Sequence, residues 1–281
     1  MTARECLRQA RLRLEEAHVP DAEIDAAWLL GSVLGMGRLQ TLALGDQPLT
    51  ERQEEAFEAL LSRRLTREPL QYILGETDFM GRRFLARPGV LIPRNDTELL
   101  AELAISRLCA GKRALDLCTG SGILAVTLAL SVPGAQVDAA DLSPRALALA
   151  RDNAALHGAN VNFLLGDLFS PCTGTCYDMI CCNPPYIKSG DLPLLQAEVR
   201  FEPDMALDGG EDGLDFYRRL AGEAPSYLVP GGCILLETGD GQAEDVAALL
   251  TNSFEDIRVY DDMAGLPRVV AARRKEAHAL A

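Results

Sequence analysis

The sequence predicts an α/β fold, in which a mostly parallel sheet with helices on both faces follows a small helical domain. Three observations support this prediction. After residue 97, segments typical of strands alternate with helical segments, a pattern that indicates parallel strands joined by crossover helices. The last two predicted strands, 257–260 and 268–272, have no helix between them, which predicts one antiparallel edge strand. Residues 3–66 show only helical patterns.

Helix signals define the first predicted domain, residues 1–70. An apolar face over residues 22–34 stops at Gly35, and Thr50 with Gln53 forms a capping-box pattern at the start of another helix. This domain contains no catalytic motif, so we expect a docking or recognition role for it. Residues 71–92 change character to short apolar runs around turns, which predicts a β-hairpin connector with strands at 72–75 and 79–85.

The third predicted domain, residues 93–281, carries the alternating pattern. It begins with a helix at 97–109 and contains further helices at 122–130, 144–157, 214–228 and 243–250. Besides the late pair, the predicted strands cover 114–117, 136–141, 161–165, 177–182 and 233–237. We therefore expect any ligand crevice at the carboxyl ends of these strands, where the loops of a parallel sheet meet.

Composition limits the partners of this chain. Its 281 residues are 48% hydrophobic and carry a formal net charge of -14, which disfavours direct nucleic-acid binding because phosphate repels acidic surfaces. The N-terminus lacks a signal-peptide pattern, and no apolar run reaches the roughly 18 residues of a membrane span. We therefore predict a cytoplasmic protein without a membrane partner.

The cysteines do not predict a metal site. Eight cysteines are present, and two of them, Cys181 and Cys182, are neighbours in a predicted strand. Side chains of adjacent strand residues point to opposite faces, so these two thiols cannot easily share one metal. We expect buried or loop thiols, and no metal, in a reducing compartment.

A glycine-rich loop follows the first strand of the third domain. It comprises Cys118, Thr119, Gly120, Ser121 and Gly122. Its glycines allow a tight turn and close approach to a ligand, and the next helix presents free N–H groups. Two later strand ends complete the pattern. Asp141 ends the second strand, where a carboxylate can bind ribose hydroxyls, and Asp167 with Leu168 follows the third, where adenine would lie. The sequence thus predicts a nucleoside-cofactor site.

Other interpretations of this loop remain open. Gly120, Gly122 and Ala125 also satisfy the G-x-G-x-x-A pattern of dinucleotide-binding proteins. A glycine-rich turn without any ligand is a third interpretation, which the correctly spaced Asp141 disfavours.

The second motif is Asn183-Pro184-Pro185-Tyr186, directly after the fourth strand. We call this motif the clamp. A planar amino or amide nitrogen is a poor nucleophile, so a site that activates it needs two acceptors for its two hydrogens. The Asn183 side-chain oxygen and the Pro184 carbonyl can supply them. Consecutive prolines stiffen the turn, and the Tyr186 ring can cover a planar group. The alternative is an ordinary turn, which Asn-Pro and Pro-Pro also mark.

These residues carry a family resemblance. The 116–122 loop with Asp141 resembles the cofactor site of class I S-adenosylmethionine methyltransferases, and 183–186 resembles the signature of methyltransferases that act on amino or amide nitrogens. Residues 91–94 with Thr97 and Glu98 are similar to a motif of peptide-chain release factor glutamine methyltransferases. Further similar positions are Phe201-Glu202-Pro203, Ala206-Leu207, Gly209-Gly210, Asp212-Gly213-Leu214, Tyr217, Glu237, Gly239, Gln242, Gly265 and Arg268-Val269-Val270.

The chain departs from this family's pattern at two places. Asn95-Asp96 stands where the family usually has Pro-Glu, and Cys118 stands where it usually has Gly. A cysteine adopts positive φ less readily than glycine, so we expect this substitution to affect the cofactor loop.

The resemblance implies a seven-stranded, Rossmann-like class I methyltransferase fold with S-adenosylmethionine as cofactor. It implies methyl transfer to the glutamine of the Gly-Gly-Gln motif in release factors, which the N-terminal helices would help to dock. Thr119, Gly120 and Gly122 would hold the methionine end, and Asn183 and Pro184 the amide. Two other functions remain: a DNA adenine N6-methyltransferase with the same clamp, which the acidic charge disfavours, and a non-catalytic binding module.

Overall fold

The computed structural model describes residues 1–276. The chain divides into two compact units: Met1–Glu76 together with Gln196–Phe201 form the first, and the rest of the described chain forms the second. None of the helices within residues 1–276 is long and apolar enough to cross a bilayer.

The first unit is helical, as its sequence predicts. Its helices are α1 (Ala3–Glu16), α2 (Ala22–Leu34), α3 (Arg38–Ala43), α4 (Glu51–Leu65) and α5 (Leu70–Leu74). The predicted capping box at the start of α4 is present, since the Thr50 side chain accepts from the Gln53 N–H and the Gln53 side chain accepts from the Thr50 N–H. α2 ends at Gly35, which adopts the left-handed conformation of a typical helix stop.

Residues 71–92 differ from the predicted connector in two respects. The strand expected at 72–75 is wrong, because this stretch lies in α5, which begins after Pro69 and ends at a left-handed Gly75. The predicted hairpin is present only further along, as β1 (Glu76–Phe79) and β2 (Arg82–Leu85). The helical unit also extends past residue 70 and includes 196–201.

The second unit contains a seven-stranded sheet. Its strands are β3 (Arg113–Leu117), β4 (Gln136–Asp141), β5 (Asn162–Leu165), β6 (Tyr177–Cys182), β7 (Leu228–Glu237), β8 (Phe254–Asp261) and β9 (Pro267–Arg274), and its helices are α6 (Thr97–Arg107), α7 (Ile123–Ser131), α8 (Pro144–His157), α9 (Asp215–Glu223) and α10 (Ala243–Leu250). The strand order is β5-β4-β3-β6-β7-β9-β8. The predicted fold class is therefore confirmed.

The antiparallel strand lies one position in from the edge. β9 pairs antiparallel with both β7 and β8. The crossover through α10 carries the chain past one strand position to β8, and the short turn after β8 can only form a hairpin that fills the gap. The edge strand itself, β8, therefore has the direction of the parallel strands.

Apolar clusters cover both faces of the sheet. Cys181 belongs to the cluster on one face and Cys182 to the cluster on the other, as expected for neighbours in a strand. The parallel strands β3, β4, β5 and β6 end at one edge of the sheet. The predicted site residues lie at the end of β4 and in the loops that follow β3, β5 and β6.

Candidate active site

Two of the predicted site residues in the glycine-rich loop after β3 adopt the left-handed backbone conformation, in addition to Gly122, which caps α7. Gly120 has φ +56°, and Cys118 has φ +57°. A conformational cost is expected at Cys118 because the related family has glycine there. The backbone does adopt positive φ at this residue. The strain of about 1–2 kcal/mol for a non-glycine residue in this region is therefore built into the loop.

Asp141, at the end of β4, holds this loop in place. Its carboxylate accepts hydrogen bonds from the backbone N–H groups of Gly120 and Ser143, each at 2.8 Å. Burial raises the pKa of Asp141, and these hydrogen bonds oppose that shift. One side chain thereby ties the loop after β3 to the loop after β4.

Asp116, in β3, is a site residue that our sequence analysis did not assign. It is 2% exposed. Its carboxylate accepts from the Thr119 hydroxyl at 2.6 Å and from the Ala125 N–H at 3.1 Å. Burial raises the pKa of Asp116 to about 7. Because the Thr119 hydroxyl is donated inward, it supports the loop from beneath.

A cleft of about 720 Å³ brings most of the predicted residues together. It is lined by the predicted residues Cys118, Gly120, Asp141, Asp167, Leu168, Asn183 and Pro185, and by others that include Val90, Leu142, Met205 and Phe216. A cleft with apolar walls and few polar groups is typical of a small-molecule site. The apolar wall residues were not predicted, because no local pattern distinguishes a wall side chain from a core side chain.

The other predicted loop residues lie elsewhere. Thr119 and Ser121 line a neighbouring cavity of about 410 Å³, which also reaches Asn183. Gly122 lines neither cavity. A Cβ atom on Gly122 would lie 2.8 Å from the Cβ of Ala150 in α8, so glycine is required here for close helix packing.

Asp167 has a protein partner in addition to its place on the cleft. Arg219 donates two hydrogen bonds to its carboxylate, at 3.1 and 2.9 Å. Leu168 follows with φ +44° and is buried, which turns the backbone at the cleft wall. A carboxylate has about four acceptor positions, so the pairing with Arg219 leaves Asp167 capacity for a ligand.

The 183–186 turn is tightly packed from behind. The Gln242 amide donates to the Tyr186 carbonyl at 2.9 Å. A Cβ on Gly209 would lie 2.7 Å from the Tyr186 Cα, and one on Gly239 would lie 2.9 Å from a Tyr186 ring atom. Neither position tolerates a larger residue without movement. Pro184 and Tyr186 line neither cavity, while Asn183 lines both.

Asn183 is oriented by two further side chains. Its amide nitrogen Nδ2 donates to the hydroxyl of Thr97, the first residue of α6, at 3.2 Å. Both Thr97 and Asn183 also hydrogen-bond the carboxyl group of Glu237, whose pKa burial raises to about 7. With Nδ2 engaged on this side, the Asn183 oxygen is the acceptor that remains for a substrate.

Known proteins resemble this chain over nearly its whole length. Residues 5–75 match the family model described as the PrmC N-terminal domain, and residues 83–199 match the Methyltransferase small domain. The release factor glutamine methyltransferase of Geobacter sulfurreducens is 45% identical over 97% of this chain and 96% of its own. That of Deinococcus radiodurans is 42% identical over 98% and 99%.

A solved structure shares the fold of much of this chain at low sequence identity. The 16S rRNA N2 G1207 methyltransferase of T. thermophilus, in complex with AdoMet and guanosine, aligns with a TM-score of 0.54 at 21% identity, over 71% of this chain and 50% of that one. The fold, the cleft and the two full-length relatives agree. The chain belongs to the release factor glutamine methyltransferase family.

Proposed function

We propose that this protein transfers a methyl group from S-adenosylmethionine to the side-chain amide nitrogen of the glutamine in the Gly-Gly-Gln motif of peptide-chain release factors. The observation that carries the proposal is the position of Asn183, which lines the same cleft as Asp141. A planar-amine clamp and a nucleoside-type cleft thus adjoin each other. The names of the full-length relatives support the substrate.

The cleft suits S-adenosylmethionine. The Asp141 carboxylate at the end of β4 provides acceptors for ribose hydroxyls, and Leu168 and Phe216 provide apolar walls for adenine. Gly120 brings backbone to the cleft for the methionine end. When bound, S-adenosylmethionine supplies an electrophilic methyl group on a sulfonium. Its complex with the T. thermophilus enzyme of the same fold supports this choice of cofactor.

The residues of the clamp do the positioning. The Asn183 oxygen accepts one amide hydrogen of the glutamine, and the Pro184 carbonyl accepts the other. This arrangement aims the nitrogen at the methyl carbon and stabilises the positive charge that develops on it. As the nitrogen–carbon bond forms and the carbon–sulfur bond breaks, the amide nitrogen becomes strongly acidic, and its proton leaves to water. No dedicated base is required.

Mass spectrometry tests the proposal. Purified protein, S-adenosylmethionine and a release factor are incubated, and the peptide with the Gly-Gly-Gln motif is examined for the added mass of one methyl group. Tritium-labelled cofactor with duplex DNA serves as the parallel sample. We expect label on the release factor glutamine alone. Label on DNA adenine, or on neither substrate, would overturn the proposal in favour of a DNA methyltransferase or a non-catalytic module.

Asn183→Ala is the matched variant in the same assay. It removes one preorganised acceptor, so kcat should fall by about 10²–10³. Cofactor affinity should change much less, because the groups around Asp141 remain. If Asn183→Ala kept near-normal turnover, Asn183 would be an ordinary turn residue and the clamp mechanism would fail.

We further propose that the helical unit docks the release factor. Its described residues contain helical patterns and paired charges but none of the cleft or clamp residues. A version that lacks residues 1–76 should bind cofactor and methylate a short Gly-Gly-Gln peptide, but lose kcat/KM on an intact release factor. Full kcat/KM on the intact protein would refute the docking role.

A further inference from the structure

Glu237, the last residue of β7, has an unusual environment for a carboxyl group. It is 1% exposed, and its oxygen Oε2 accepts no hydrogen bond from any residue within 1–276. A buried polar atom without a partner is uncommon and calls for a reason. The proposed methyl transfer assigns this side chain no part beyond its contact with Thr97 and Asn183.

An ion pair does not explain Glu237. The nearby cation is Arg268, whose ion pairs are with Asp262 at 3.2 Å and Asp96 at 3.5 Å. The Tyr217 hydroxyl donates to the backbone carbonyl of Glu237 at 2.8 Å, which holds the strand end and does not involve the carboxyl group. The side chains that do hydrogen-bond the carboxyl group are Thr97 and Asn183.

The direction of these hydrogen bonds follows from chemistry. Asn183 donates to the Thr97 hydroxyl at 3.2 Å, so the single proton of that hydroxyl must point to another acceptor. The Glu237 carboxylate can only accept. Asn183 also hydrogen-bonds the carboxyl group directly, so the Asn183 amide nitrogen and the Thr97 hydroxyl both donate to Glu237. This arrangement cannot be reversed while Glu237 is ionised, because an ionised carboxylate has no hydrogen to donate.

We propose that Glu237 is a positioning residue that acts with Thr97 to lock the Asn183 amide, so that its oxygen and not its nitrogen faces the substrate. The two ends of an asparagine amide have nearly the same shape, and packing alone does not choose between them. The Glu237 carboxylate makes that choice, because an ionised carboxylate can only accept hydrogen bonds. With the amide reversed, two N–H donors would oppose the N–H groups of the glutamine. This inference rests on the proposed methyl transfer to glutamine.

Glu237→Gln is the direct test, because glutamine keeps the shape but can also donate. We measure kcat on the release factor at a pH well above the pKa of Glu237, which is about 7, and cofactor Kd by calorimetry. Since the clamp is misoriented only part of the time, kcat should fall about 10- to 100-fold, less than for loss of a preorganised group outright. Cofactor Kd should stay within about twofold of wild type, as expected when a mutation acts on the chemical step.

A double-variant comparison separates positioning from a general structural effect. If Glu237 acts through Asn183, then Glu237→Gln should slow the Asn183→Ala enzyme no further. Multiplying effects would overturn the inference, as would a Glu237→Gln enzyme with unchanged kcat. Should Glu237→Gln fail to fold, Thr97→Val removes one of the two side chains that hydrogen-bond the Glu237 carboxyl group and must also lower kcat; an unchanged kcat in that variant would overturn the inference.

Thr127→Val is the matched control for Thr97→Val. Thr127 is a fully buried threonine of α7 whose hydroxyl has no hydrogen-bond partner among the described residues, so its loss should leave kcat unchanged. Wild-type turnover on the release factor distinguishes failure of the Glu237 inference from failure of the proposed function. If wild type methylates the glutamine and Glu237→Gln is equally fast, only the inference fails; if wild type does not methylate it, the proposed function fails first.

Discussion

Buried carboxylates are compensated differently at Asp25 in the helical unit and at Asp116 and Glu237 in the second unit, here called the methyltransferase unit. In the helical unit, the buried Arg64 donates to Asp25 at 2.7 Å and to Glu198 at 3.0 Å, so the buried Asp25 and the half-buried Glu198 each have a guanidinium partner. In the methyltransferase unit, Asp116 is held by neutral donors, and Glu237 has an oxygen without a partner within residues 1–276. The comparison teaches that these two buried carboxylates, which lie next to the glycine-rich loop and to Asn183, are less fully compensated than Asp25.

The pKa values express the same contrast. Burial raises the pKa of Asp116 and of Glu237 to about 7. In the helical unit, burial also raises the pKa of Asp25, and the hydrogen bond from Arg64 opposes the shift. Glu198, with Arg67 and Arg64 beside it, has a lowered pKa. Hydrogen-bonded ion pairs thus oppose the effect of burial at Asp25 and Glu198, whereas neutral donors oppose it at Asp116.

The largest expected effect comes from breaking the Arg64–Asp25 pair in the helical unit. Arg64→Met removes the cation and leaves the Asp25 carboxylate buried without its partner. Loss of one partner of a buried pair typically costs about 3–5 kcal/mol, so urea denaturation should show a destabilisation of this order. In Arg64→Met/Asp25→Leu the buried charge is gone as well, and most of the stability should return. If the double variant were as unstable as the single one, packing by Arg64 would be the cause and not its charge.

A second prediction concerns Glu237, a buried carboxyl group without an ion-pair partner. The free energy of unfolding of Glu237→Gln is compared with that of wild type over a range of pH. A carboxyl whose pKa is raised on folding binds its proton more tightly in the folded state, so its contribution is favourable below about pH 4.5 and is lost as pH rises to about 7. Glutamine has no such loss. The unfolding free energy of the variant should therefore rise relative to that of wild type as the pH rises, by up to about 3 kcal/mol at the top of this range. A difference in unfolding free energy that stays constant from acid to neutral pH would contradict the raised pKa.

The smallest expected effect concerns backbone strain in the cofactor loop. Cys118 has φ +57°, so Cys118→Gly should relieve the strain, partly offset by the greater freedom of glycine in the unfolded chain. The net gain should be about 0.5–1 kcal/mol in urea denaturation. Cys118→Ala is the control, because it removes the thiol but keeps the Cβ atom and the strain. Equal stabilities of the two variants would show that positive φ costs nothing here.

Local patterns explain which parts of this protein were predictable. The strands, the glycine-rich loop, Asp141 and the clamp turn each depend on neighbours in sequence or on the shared edge of a parallel sheet. The short helix at Leu70–Leu74 was not predictable from its apolar run, since a run of that length suits a strand or a helix equally. Gly122 was assigned to the ligand, whereas its partner is Ala150, which no local pattern indicates.

The sequence by itself determined the fold class, the family and the two motifs, because strand alternation and loop chemistry are written in consecutive residues. The tertiary structure alone decided which groups surround those motifs. Thr97, Asn183 and Glu237 come from the start of α6, the turn after β6 and the end of β7, and they meet only because the sheet places β6 beside β7 and packs α6 against it. The burial that raises the pKa of Glu237 has the same origin, since a side chain's distance from water depends on the elements that cover it and not on its neighbours in the chain.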